Sequence, residues 1–173
     1  MPAVQSEPNE ARDRFSSMDL FDFEWAGLPL HPLLVHATVV LTPLTALALA
    51  VAALWPAASR RMGLSLPIAA LVVAVLVPLT ILAGQSLADV VGRTTAVSRH
   101  ESLGLMLLPW AVALLPASVL VWWMGRPLPD DRRRARSVRV VVAVVAVAVA
   151  GATIAFAVLT GDAGARAVWG GTA

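Results

Sequence analysis

The residues of this chain best suited to chemistry are its three histidines, His31 and His36 in the run HPLLVH and His100 in RHESLG. Gln85, Arg93, Arg99, Glu101, Thr160 and Asp162 are the polar groups that can join them at the ends of apolar segments. The sequence has no cysteine, which excludes thiolate metal sites, iron–sulfur clusters, covalent c-type haem and a disulfide framework. Imidazole, carboxylate and amide remain as ligands. His31 and His36 are five residues apart, roughly 140° around a helix, so they cannot chelate from one face as an i, i+4 pair does. Pro32 suits a first helical turn, which makes His31 a helix-start residue at an interface. His36 lies roughly 7 Å deeper.

Four readings of these residues stand open. In the first, His36 and His100 are axial ligands of a b-type haem between the first and third helices of a bundle, where facing helices build cofactor sites. Arg93 and Arg99 at the rim would then meet the propionates by charge-assisted hydrogen bonds. Gly84 and Gly104 would let the macrocycle approach the backbone. In the second, zinc or copper is bound by His36, His100 and a carboxylate, Glu101 or Asp162. In the third, His36 and Gln85 hydrogen-bond the ring oxygens of a quinone. In the fourth, the same groups satisfy one another between helices and cap helix ends, with no cofactor. Hydrolytic enzymology is disfavoured, because Ser16 and Ser17 lie in the polar N-terminal stretch and no nucleophile–base–acid order can be recovered. Transport through four helices would require a homo-oligomer.

The elements that must position these groups follow from composition. At 58% hydrophobic and 14% charged residues, the chain is far from the roughly 45–50% apolar and 25% charged usage of soluble domains. Four apolar runs, about 32–55, 66–88, 103–124 and 138–159, reach the roughly 17–25 residues that a spanning helix needs. The expected fold is therefore all-α, an integral membrane four-helix bundle over residues 28–173. His100 and Glu101 fall just before the third run and Asp162 just after the fourth. Residues 1–27 carry Glu7, Glu10, Asp13, Asp19, Asp22 and Glu24 against Arg12 and Arg14. They read as a flexible acidic tail, with Phe21, Phe23 and Trp25 at the membrane surface, and not as a signal peptide.

Thirteen arginines and no lysine leave a net charge of only +2, so nothing suggests a nucleic-acid partner. Their placement is informative. Arg60 and Arg61 lie between the first two helices, and Arg126, Arg132, Arg133, Arg134 and Arg136 between the last two. The positive-inside rule makes these loops cytoplasmic and puts both termini on the outer side of a bacterial plasma membrane. RRRAR reads as a topology anchor in contact with anionic lipid, with Asp130 and Asp131 partly neutralising it. All three histidines then share the outer leaflet, where polar groups near the apolar layer mark a site unless they pair. Leu82–Val91 and Leu159–Val168 match at four of ten positions, with Gln85 opposite Asp162. This suggests two hairpins related by an axis along the membrane normal.

The segments GLPLHPLLVH, RHESLGLMLLPW and GDAGARAVWG, in this order, resemble the bacterial membrane-protein family catalogued as domain of unknown function family 2231, in its high-GC actinobacterial form. The resemblance implies four membrane helices with paired histidines near one face. It also implies a redox setting, since some members are fused to or lie beside cytochrome c or Rieske-type domains. Some relatives carry a histidine where this chain has Asp162, a departure if that position is a ligand. The expected function is thus an accessory membrane protein of a redox or envelope system, holding haem b or another cofactor. The alternative is a cofactor-free structural subunit of a membrane complex.

Overall fold

The structure, a computed structural model, describes residues 24–25, 28–126 and 132–169. The acidic tail and the Pro127–Asp131 linker lie outside the described residues, apart from a two-residue antiparallel pairing of β1 (Glu24–Trp25) with β2 (Leu28–Pro29). Among the described residues five helices follow: α1 (Leu30–Leu54), α2 (Pro56–Met62), α3 (Ser65–Val91), α4 (Thr95–Met124) and α5 (Arg132–Trp169). The four long ones are long and apolar enough to cross a membrane. Each packs against two neighbours in the order α1, α3, α4, α5 and back to α1, while α1 and α4 also touch across the diagonal. Two antiparallel hairpins, α1–α3 and α4–α5, therefore lie side by side.

The bundle is built with its small residues inside. Its central cluster contains Ala46, Leu49 and Ala52 from α1, Ala70, Val73 and Val77 from α3, Ala111, Leu114 and Ala117 from α4, and Ala146 and Ala150 from α5. The three- and four-residue spacings keep each set on one helical face. Alanine lets helix backbones approach closely, which supplies packing where lipid offers no hydrophobic drive. Larger side chains point outward: Leu44 is 59% exposed and Val144 64%. A soluble protein does not tolerate so continuous an apolar exterior.

Hydroxyl groups interrupt the core. Thr38, Thr42 and Thr45 are buried on one face of α1, with Thr80 on α3, Ser118 on α4 and Thr153 on α5. Thr38 and Thr80 hydrogen-bond across α1 and α3 at 2.8 Å. Thr153 donates to the Val149 carbonyl of its own helix at 2.7 Å and lies 3.3 Å from the Trp110 carbonyl of α4. Pro43, Pro78, Pro109 and Pro116 sit inside helices without ending them. Packed neighbours make this tolerable in membrane helices.

Helix ends differ from the expected runs where polar turns continue the backbone ladder. α4 starts at Thr95 and not near 103, because Thr94 caps it by accepting from the Val97 N–H at 3.3 Å. α5 extends from Arg132 to Trp169 and not 138–159. Arginine and alanine are good helix formers, which suits RRRAR, and GDAGARAVW is helical as well despite Gly161 and Gly164. At 38 residues α5 is about 57 Å long, well beyond the roughly 30 Å hydrocarbon layer. The short α2 was not foreseen. Pro56 opens it, and Gly63, at φ +51°, ends it in a conformation that disfavours side chains.

Candidate functional site

The polar groups gather where α1 starts, α3 ends, α4 starts and α5 ends. Gly92, at φ +91°, turns the chain after α3, and its N–H bonds the Ala88 carbonyl at 3.0 Å. That turn folds Arg93 back over α3. Its Nε and Nη2 donate to Asp89 Oδ1 at 3.3 and 3.1 Å, while its Nη1 donates to Glu101 Oε2 at 3.0 Å. The other carboxylate oxygen of Glu101 accepts from Gln85 Nε2 at 3.1 Å. Gln85, Glu101, Arg93 and Asp89 thus form one network that ties the last turns of α3 to the first turns of α4. Its Glu101 arm is the more sheltered, at 19% exposure against 67% for Asp89. The Arg93 guanidinium is held above the ordinary arginine pKa, first by its hydrogen bond to Asp89 and then by the charges of Glu101 and Asp89. Arg93 is accordingly a cation throughout the neutral range.

His100 connects the other pair of helices. Its Nδ1 lies 2.9 Å from the Thr160 carbonyl of α5. A carbonyl can only accept, so Nδ1 carries the proton and a neutral His100 keeps its lone pair on Nε2. Thr160 and Gly164 are one turn apart and share a face of α5. A Cβ placed on Gly164 would stand 2.9 Å from His100 Cε1 and 3.0 Å from Nδ1. The imidazole therefore occupies the space that a side chain at Gly164 would fill. His100 and Glu101, expected just outside the third helix, lie in the second turn of α4.

The remaining candidates are placed differently. His36 is exposed on α1, on the same outward face as Leu33 and Val40. His31 is within α1, but its side chain lies outside the described residues. Asp162, inside α5 and mostly exposed, pairs with Arg166 one turn on at 2.9 Å. Arg99 is exposed, and its carbonyl accepts from Ser102 Oγ at 2.8 Å. Gly104 is buried against Ile81.

Among the described residues no three of histidine, aspartate and glutamate converge to hold a metal ion. The set His36, His100, Glu101 and Asp162 is therefore not gathered as one coordination sphere: Glu101 is engaged by Arg93 and Gln85, and Asp162 by Arg166. Arg93, expected to be available for propionates, is paired with two carboxylates. Asp89 and Gly164 were missed by sequence reasoning. The i, i+4 spacing of Asp89 and Arg93 is a signal that was available. A glycine that accommodates a ring on another helix leaves no signal in its own sequence.

A family model described as "Predicted membrane protein (DUF2231)" matches residues 27–172. No curated protein and no solved structure matches the chain.

Proposed function

Starting from the DUF2231 family of membrane proteins, to which this chain belongs, we propose that it is an accessory, non-catalytic subunit of a bacterial redox or envelope assembly. It resides in the plasma membrane with both termini outside, as the arginine-rich loops favour. The observation that carries this reading is the internal use of the polar groups. Glu101 and Asp89 neutralise Arg93, Gln85 is bonded to Glu101, and His100 is bonded to α5. Groups arranged this way fasten helices, and the outward leucines and valines then meet lipid or the faces of partner proteins.

A second reading, a cofactor such as haem b held through His100 with His36, has one observation in its favour. A ligating histidine ordinarily donates its other N–H to a carbonyl or carboxylate, which orients the ring. His100 makes such a bond to Thr160 and presents Nε2 as the donor atom. His100 would hold the group through Nε2, whereas His36, its expected partner, is exposed on the outward face of α1, and the chemistry the group would supply is one-electron transfer.

The optical spectrum and metal content of the full chain, purified in detergent, separate the two. Folded protein with no Soret or α band and no stoichiometric metal is the result expected for the accessory subunit. A reduced α band that disappears in His100→Ala overturns it in favour of the cofactor.

A further inference from the structure

The end of the bundle opposite the histidines holds a second feature, which none of the readings above uses. There α2 lies against the ends of α1 and α4, and together with α5 they line a cavity of about 50 Å³, open on one side. Its floor is apolar, with Ala52 from α1 and Val142 from α5, and Ser59, Arg60, Gly125 and Arg139 complete its wall. The wall is held in place. Ser59 is buried and donates to the Val121 carbonyl at 3.3 Å. Gly125 allows this approach, since a Cβ there would stand 2.9 Å from Ser59 Oγ.

Two cations border this apolar recess. Arg139 reaches the Met124 carbonyl through Nη2 at a long 3.4 Å, and its other N–H groups have no partner among the described residues. Arg60 makes no ion pair among the described residues. The acids with described side chains, Asp89, Glu101 and Asp162, all lie at the other end of the bundle. Arg126 stacks on Trp122 at 3.9 Å, and Trp55 and Trp123 are exposed at the same level, as expected of a headgroup boundary. A recess between membrane helices that pairs an apolar floor with two guanidiniums at headgroup depth matches an amphiphile whose polar part is a phosphate anion.

We propose that this recess binds the phosphate of an anionic phospholipid, with Arg60 and Arg139 as its two donors. Ser59 and Gly125 act as the scaffold that holds α2 in position. Among the described side chains, Arg136 of the RRRAR segment is not part of the cavity lining.

The test uses the full chain in micelles doped with phosphatidylglycerol, phosphatidylcholine or neither, and reads retained lipid by native mass spectrometry and the unfolding midpoint. Phosphatidylglycerol should be retained and should raise the midpoint, while phosphatidylcholine should not. In the double variant Arg60→Gln, Arg139→Gln the apparent affinity should fall roughly tenfold or more, as expected when two arginines near an anionic headgroup are lost. The control Arg61→Gln, Arg136→Gln removes the same charge at the same end without touching the cavity, and should bind as the parent does. Each variant is compared with its own lipid-free midpoint, so that a folding defect is not read as lost binding. Equal losses in both double variants, no preference between the two lipids, or displacement of lipid by millimolar inorganic phosphate would each overturn the proposal.

Discussion

A hydroxyl buried without a partner costs free energy that a methyl of the same shape does not. Thr42 Oγ1 is such a group: the residue is 1% exposed, and the oxygen has no hydrogen-bond partner among the described residues. Thr38, one turn earlier, differs because its hydroxyl bonds Thr80. Thr80 spends its own proton on the Leu76 carbonyl, which leaves Thr38 as donor of the bond between helices. Thr42→Val should therefore stabilise the bundle, by about 1 kcal/mol. Thr38→Val should destabilise it by about 0.6–1.7 kcal/mol, the range for hydrogen bonds between membrane helices. Unfolding in detergent measures both, and equal effects of one sign would contradict the assignment. At this scale the sequence singled out Gln85, His100 and Glu101 among the polar groups at the helix ends. It did not pair them, because a pairing depends on how neighbouring helices are rotated, and all three had several candidate partners.

The junction of α4 with α5 shows how elements depend on what is absent from a side chain. Gly164 leaves room for the His100 ring, whereas Gly151, on the same helix, has nothing within 4 Å of a Cβ. Both are helical, so alanine gains roughly 0.5–1 kcal/mol at either position from backbone propensity alone. At Gly151 that gain should appear undiminished. At Gly164 the added methyl collides with the imidazole, and overpacking of this kind costs about 1–3 kcal/mol, so the net effect should be loss. In a His100→Ala background the penalty at Gly164 should disappear, which a double-mutant cycle can read directly. The ends of these helices were the least legible feature of the sequence. Apolar runs report where the bilayer is, whereas helices stop where caps and glycines stop them, here Thr94, Gly63 and Gly92. The excess of α5 over its apolar run comes from end turns that stay helical although hydropathy does not mark them.

The whole molecule has an exterior of leucine and valine, an alanine core and two polar ends of opposite character. Among the described side chains, carboxylates and histidines occupy one end, and arginines that make no ion pair the other. If the positive-inside rule governs insertion, a reporter fused at Ala173 should register outside and one inserted near Arg132 should register in the cytoplasm. The reverse result would place the His100 end in the cytoplasm. The sequence by itself determined that the chain is an all-α membrane bundle, how many spans it has and which polar residues share an end. Each of these depends on hydropathy and charge order along the chain, which no partner can alter. Only the tertiary structure decided that Glu101 serves Arg93 and Gln85, that His100 leans on α5 beside Gly164, and that a recess lies between Arg60 and Arg139. Those outcomes depend on the rotation and depth of one helix against another. In a core built from alanine and hydroxyls, that is set by close packing among all four helices together, and no single segment encodes it.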